Sequence, residues 1–159
     1  MFITIRRGEA NMIPLVMCIV VARSAVEIDS LVSFFTALRS VETGGMAQPQ
    51  DAVGDSGRSI GPYQISQAYW ADSGVRGAWT SCKDRAYAEA VMLAFWKRYC
   101  PEALRLRDLE TLARVHNGGP RGDRKDATLV YWKRIQGRLT TKPRARLAHR
   151  RAGGIPCHV

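Results

Sequence analysis

Apolar residues return along this chain at helical spacing in several separate stretches. Leu31, Phe34, Phe35 and Leu38 recur at i, i+3, i+4 and i+7 and predict an amphipathic helix over residues 27–42. Glu42 follows Leu38 by four residues, so it extends the same stripe, and Gly44-Gly45 stop the helix. Residues 46–62 are rich in Gly, Pro, Asp and Ser and predict a small hairpin or irregular sheet without a long strand. A short helix is predicted from about Gln64 to Ala71, with Ile65, Ala68 and Tyr69 or Trp70 inward, then a loop over residues 74–82. The strongest helical pattern runs from Lys83 to Tyr99. Its segment Ala88–Trp96 is apolar nearly all round, which predicts a central, buried helix that Pro101 ends. Asp108 to Val115 predicts a short helix. Asp126 can cap a last helix with Leu129, Trp132, Ile135 or Gln136, and Leu139 as its inner face. The sum is a mainly helical α+β domain with one small β element and no internal repeat.

At 159 residues the chain is long enough for one core and too short for two ordinary domains. No run of 18 apolar residues occurs, so no transmembrane helix is expected. Arg6 and Arg7 precede an apolar run from Ile13 to Ala22, followed by Ala22-Arg23-Ser24-Ala25. That order is expected of a signal peptide over residues 1–25, and predicts a secreted or cell-envelope protein. The folded domain is then expected over residues 26–140.

The net charge of +10 is unevenly placed. Asp126 is the last carboxylate, so the helix after it and the tail over residues 141–159 carry only basic charge. Such a tail, beyond Pro143, is expected to be disordered or loosely packed. It suits an anionic partner such as a cell envelope, and equally a solvated extension that binds nothing. No nucleic-acid motif or basic aromatic platform accompanies it.

Of four cysteines, Cys18 falls in the leader. Cys82 and Cys100 flank the central helix. Along a straight helix they stand about 27 Å apart, beyond the ~7 Å reach of a disulfide, so they should not pair with each other; either can pair with Cys157. Metal-ligand spacing is absent, and no cofactor is expected.

Two segments carry candidate chemistry. His116-Asn117-Gly118-Gly119-Pro120-Arg121-Gly122 reads as a shaped loop with a titratable group and an amide at its mouth. Upstream, Glu42 and Asp55 stand on either side of a Gly-rich hairpin, which suggests acid/base chemistry on a sugar. A carboxyl at the end of an apolar stripe is partly desolvated. That disfavours its charged form and suits Glu42 to the general-acid role. Asp55 lies in a polar Gly- and Ser-rich turn where it stays ionised, as the second carboxylate of a glycosidase must. Asp51 competes, but Asp55 opens the ordered run to Ile65.

These residues resemble the invertebrate-type lysozymes, the group that includes destabilase. The resemblance lies in Glu42-Thr43-Gly44, in Asp55-Ser56-Gly57-Arg58-Ser59-Ile60-Gly61-Pro62-Tyr63-Gln64-Ile65, and in Ala68-Tyr69-Trp70-Ala71-Asp72. It continues through Ser81-Cys82, Lys97-Arg98-Tyr99, the stretch from Ala113 to Gly122, and Tyr131-Trp132-Lys133, covering about residues 37–137 in order. It implies a lysozyme-like fold with a small β-hairpin beside an active-site cleft. It also implies hydrolysis of the β-1,4 bond between N-acetylmuramic acid and N-acetylglucosamine in peptidoglycan. Glu42 matches the general acid and Asp55 the second carboxylate, with one residue fewer than the family between Asp55 and Gly61. An isopeptidase activity reported for some members would map to Ser59 and His116. The family's half-cystines are largely replaced: Ile60, Ser73 and Asp123 stand at such positions, and Cys82 remains.

Arg58, Ser59, Tyr63, Gln64, Tyr69, His116 and Asn117 are the candidate substrate-binding residues, with Trp70 and Trp79 as further aromatics for a sugar groove. Three functions compete: a muramidase, expected to be monomeric; a lytic transglycosylase, which needs one Glu and leaves a 1,6-anhydro end; and a non-catalytic wall or polyanion binder acting through the tail.

Overall fold

The computed structural model describes residues 30–140. The expected leader over 1–25, the tail over 141–159, Cys18 and Cys157 lie outside the described residues. Helix α1 covers residues 30–42 and buries Phe34, Phe35, Ala37 and Leu38, the predicted stripe with Ala37 added. Thr43 closes it by donating both its backbone N–H (3.1 Å) and its hydroxyl (2.8 Å) to the Arg39 carbonyl.

The β element is a three-stranded antiparallel sheet in the order β1-β2-β3, with strands Val53–Gly54, Ser59–Ile60 and Ile65–Ser66. Val53 pairs with Ile60, and Ile60 with Ile65. Ile65 is therefore a strand residue. Helix α2 begins only at Gln67 and runs Gln67–Ser73, later than the predicted Gln64 start. Gln64 itself has φ 49°, a left-handed turn conformation incompatible with a right-handed helix. Ser66 caps α2 by accepting from the Tyr69 N–H at 3.2 Å. Tyr69 is buried and Ala68 exposed, so the inward face is narrower than expected.

Asp84 caps α3, Arg85–Tyr99, by accepting from the Tyr87 N–H. Ala88, Val91, Met92, Phe95 and Trp96 are buried. This helix is the centre of the core: Trp96 packs on Phe34 and Phe35 of α1, and Phe95 stacks on Tyr69 of α2 with centroids 3.7 Å apart. Pro101 ends α3 and also opens an unpredicted short helix, α4, Pro101–Leu106. Asp108 caps α5, Leu109–Gly118.

Helix α5 runs three residues past the predicted end. His116, Asn117 and Gly118 are thus helical, and the loop is confined to Gly119 onward. Gly118 owes its place to close packing, since a Cβ there would come within 2.7 Å of Thr128 Cγ2 on the last helix. That helix, α6, covers Ala127–Thr140. Its buried residues are Thr128, Tyr131 and Ile135, with Leu129, Trp132 and Leu139 half-buried and Gln136 exposed. The inner face is rotated by about one residue from the predicted one, because the polar Thr128 hydroxyl is drawn inward to the carbonyls of Gly122 and Lys125. Among the described residues Cys82 and Cys100 form no disulfide, and burial pushes each thiol up to about 11. No described helix is long and apolar enough to cross a membrane.

Candidate active site

Glu42 sits in the last turn of α1, where the helix meets α5 and α6. Its side chain is 16% exposed. Oε1 accepts a 2.5 Å hydrogen bond from the Tyr131 hydroxyl on α6 and lies 3.5 Å from His116 Nε2 on α5. The His116 side chain is 4% exposed, so the imidazole is a buried member of the cluster. Its Nδ1 faces the Tyr69 hydroxyl at 3.4 Å, and its ring meets those of Tyr69 and Trp96 edge-on. Burial, and secondarily the charge of Glu42, holds the Tyr131 phenol well above its ordinary range. Burial, then Cys100 and Glu42, does the same for Tyr69. Both phenols therefore keep their protons.

Asp55 occupies a different setting. It begins the turn joining β1 to β2, where Asp55 and Ser56 both take left-handed backbone conformations, φ 49° and 57°. Aspartate tolerates that region better than most residues. The side chain is exposed, and Oδ2 accepts from Ser59 Oγ at 3.2 Å. The Asp55 carbonyl accepts from the Arg58 N–H and from Arg58 Nε at 2.9 Å, which folds the guanidinium along the turn.

The remaining candidates divide into two sets. Arg58 and Asn117 are exposed and can reach a ligand, and Gln64 is half-buried with its Nε2 donating to the Gly61 carbonyl. Tyr63 and Tyr69 are core residues whose burial leaves no ring face for a sugar. Tyr63, wholly buried, donates its hydroxyl to Glu89 Oε1 at 2.5 Å and accepts from Arg39 at 3.1 Å, pinning the β2–β3 turn to α1 and α3. Tyr69 lies behind His116. Trp70 and Trp79 are partly buried, and their indole N–H groups are used by Tyr87 and the Ile65 carbonyl. Ser59 and His116 do not form a nucleophile pair: Ser59 serves Asp55, while the two nitrogens of His116 face Glu42 and Tyr69.

Tyr131 is the residue that sequence reasoning missed as a partner of Glu42. The signal was available in Thr128, Tyr131 and Ile135 at i, i+3 and i+7, masked by the more hydrophobic Trp132 beside them. Among the described residues no three of His, Cys, Asp or Glu are grouped as metal ligands. A cavity of about 630 Å³ is lined by Arg39, Pro62, Lys83 and Arg85 among others, and includes neither Glu42 nor Asp55. Contacts rather than cavity size mark Glu42.

A small antiparallel sheet set among helices, with a part-buried glutamate closing the first helix and an aspartate at the tip of the hairpin, defines a lysozyme-like α+β fold. Comparison with known proteins narrows this. No family model matches the chain. It is 42% identical over 80 residues to a lysozyme of Meretrix lusoria, covering 49% of this chain and 66% of that protein. It is 37% identical over 91 residues to invertebrate-type lysozyme 6 of Caenorhabditis elegans, covering 50% of this chain and 66% of that one. The solved structure of Tapes japonica lysozyme superposes with a TM-score of 0.55 at 35% identity, over 65% of this chain and 86% of that chain. The chain belongs to the invertebrate-type lysozyme family. It spans about half to two thirds of the length of the curated relatives it matches, 44% for lysozyme 1 of Crassostrea virginica and 66% for the Meretrix lusoria protein.

Proposed function

We propose that the chain is a muramidase that hydrolyses the β-1,4 bond between N-acetylmuramic acid and N-acetylglucosamine in peptidoglycan. The observation that carries this reading is the state of Glu42: one carboxyl oxygen is tied down by Tyr131 and faced by His116, in a position only partly open to solvent. Both contacts fall on Oε1. Oε2 is left to carry a proton to the glycosidic oxygen as general acid. Asp55, exposed at the hairpin tip, is the carboxylate that meets the developing oxocarbenium ion, as nucleophile or as electrostatic partner. Arg58, Gln64 and Asn117 are the groups for hydrogen bonds to the substrate. Ser59 orients Asp55, and His116 orients Glu42.

The reading includes export and an anionic cell envelope as the surface on which the protein works. Helix α6 supports the second part. Lys133, Arg134 and Arg138 line one cleft with Ser40, Val41 and Gly44, without a carboxylate among them, and the sequence beyond continues basic. The testing experiment is digestion of purified peptidoglycan with mass analysis of the fragments. Reducing ends are expected. Anhydro ends would assign the protein to lytic transglycosylation, and intact glycan with retained binding would leave a wall-binding protein.

A further inference from the structure

The contacts around Glu42 continue past His116 to Tyr69, a link that the acid/base assignment does not use. The Tyr69 hydroxyl has one partner among the described residues, His116 Nδ1 at 3.4 Å. A protonated phenol can donate or accept, but this one has no other acceptor for its proton among the described residues, so the arrangement that satisfies it is donation to Nδ1, which then accepts. A neutral imidazole with an accepting Nδ1 carries its hydrogen on Nε2. Nε2 is the nitrogen that faces Glu42 Oε1 at 3.5 Å. Tyr131 donates to the same oxygen from the other helix. Oε1 thus accepts from Tyr131 and has Nε2 3.5 Å away. An acidic hydrogen carried on that oxygen would face these groups, so Oε2 is the oxygen left for it.

Packing fixes each member. The Tyr69 ring is stacked on Phe95 of α3, and the His116 ring is wedged between Tyr69 of α2, Trp96 of α3 and Tyr131 of α6. The titratable groups facing His116 are Glu42 on α1, Tyr69 on α2 and Tyr131 on α6; Cys100, after α3, acts on Tyr69.

We propose that Tyr69, His116 and Tyr131 are positioning residues that direct the acidic proton of Glu42 to Oε2, with Tyr69 selecting the Nε2–H tautomer of His116. The role rests on the muramidase reading, in which Glu42 gives that proton to the leaving group. After transfer, the negative oxygen pair is already met by two donors on Oε1, so no group has to turn during the step.

The test has one arm that needs no turnover. Imidazole ¹⁵N shifts of the full chain are recorded at about pH 8, where an ordinary histidine is neutral, with the His116→Gln spectrum assigning the resonances. Wild type is expected to be the Nε2–H tautomer, and Tyr69→Phe a mixture. An Nδ1–H tautomer in wild type, or no change in Tyr69→Phe, overturns the proposal whatever the activity.

The second arm is kinetic. Tyr131→Phe keeps the ring and loses the donor. It should lower kcat about tenfold or more with KM within about twofold. His116→Gln, which keeps a donating N–H, should retain more kcat than His116→Phe. A rise in KM with kcat unchanged would make these residues substrate contacts and overturn the proposal. Wild type that shows the Nε2–H tautomer but leaves peptidoglycan uncut removes the muramidase reading and leaves the arrangement of donors on Glu42 in place.

Discussion

The two carboxylates are held in opposite ways. Glu42 is fixed from afar: its partner Tyr131 is 89 residues away in the chain, and the His116 behind it is in turn fixed by Tyr69, 47 residues distant. Asp55 is fixed locally, through Ser59 four residues on and the Arg58 side chain three residues on. Glu42 is part-buried where three helices meet, whereas Asp55 is exposed on a turn between strands of two residues each. A proton donor gains from a site that limits water. An ionised partner gains from solvation and from a turn able to adjust to the sugar. The difference teaches that, in the proposed mechanism, two residues of nearly the same chemistry take different tasks from their surroundings alone.

The comparison can be broken most severely at Glu42. Glu42→Gln is expected to cost on the order of 10²–10⁴-fold in turnover on peptidoglycan while leaving the circular-dichroism melt near that of wild type. Full activity in this variant would show that the acid lies elsewhere. Asp55→Asn keeps the turn's hydrogen bond to Ser59 and loses the charge, so on the order of 10²-fold loss in kcat is expected. If both variants still bind saccharide with wild-type affinity, chemistry and binding are separate in the two regions.

A third change attacks the hairpin's scaffold. Gly61 has φ 75°, and a Cβ there would run into the Cys82 carbonyl. Gly61→Ala should destabilise the fold by about 3 kcal/mol or more, from the left-handed strain together with overpacking, measured by urea unfolding. Alkylation of the two thiols reads each region separately. Cys82 abuts the hairpin, and Cys100 lies on the helical side. With both thiols pushed up to about 11, the thiolate forms only as pH climbs toward that value, so both should resist alkylation at pH 7 in wild type. In Gly61→Ala, Cys82 should label faster than Cys100. Equal acceleration would mean that hairpin and helices open as one unit. The smallest effect is expected for Ser59→Ala, about 1 kcal/mol or less in stability and a few-fold loss in kcat, because Asp55 keeps its backbone support.

Legibility in the sequence followed the same division. The stripe of Leu31, Phe34, Phe35 and Leu38, the stop at Thr43 to Gly45, and the α3 helix ended by Pro101 were readable because each rests on contacts within a few residues. The places of Glu42 at the end of α1 and of Asp55 in the hairpin turn were readable through the motifs around them. The misreadings came where distant packing outweighed local pattern. Ile65 carries helical spacing but is drawn into the sheet by pairing with Ile60, and Gln64 takes the left-handed turn that leads into it. The glycines after His116 suggest a loop, yet Gly118 stays helical because α6 needs its missing Cβ. Tyr63 and Tyr69 read as sugar platforms, and the core claims both.

The sequence by itself therefore determined the longer helices, a small β element, the places of Glu42 and Asp55 along them, and the family. These follow from periodicity, capping and short motifs, which act over one or two turns of chain. Only the tertiary structure decided that Tyr131 grips Glu42, that His116 stands buried behind it with its Nδ1 toward Tyr69, and that the inner face of α6 centres on Thr128, Tyr131 and Ile135. Those outcomes depend on which side chains from distant elements fill the same volume, and on where buried hydroxyls find partners. Neither quantity is written in any one stretch of residues.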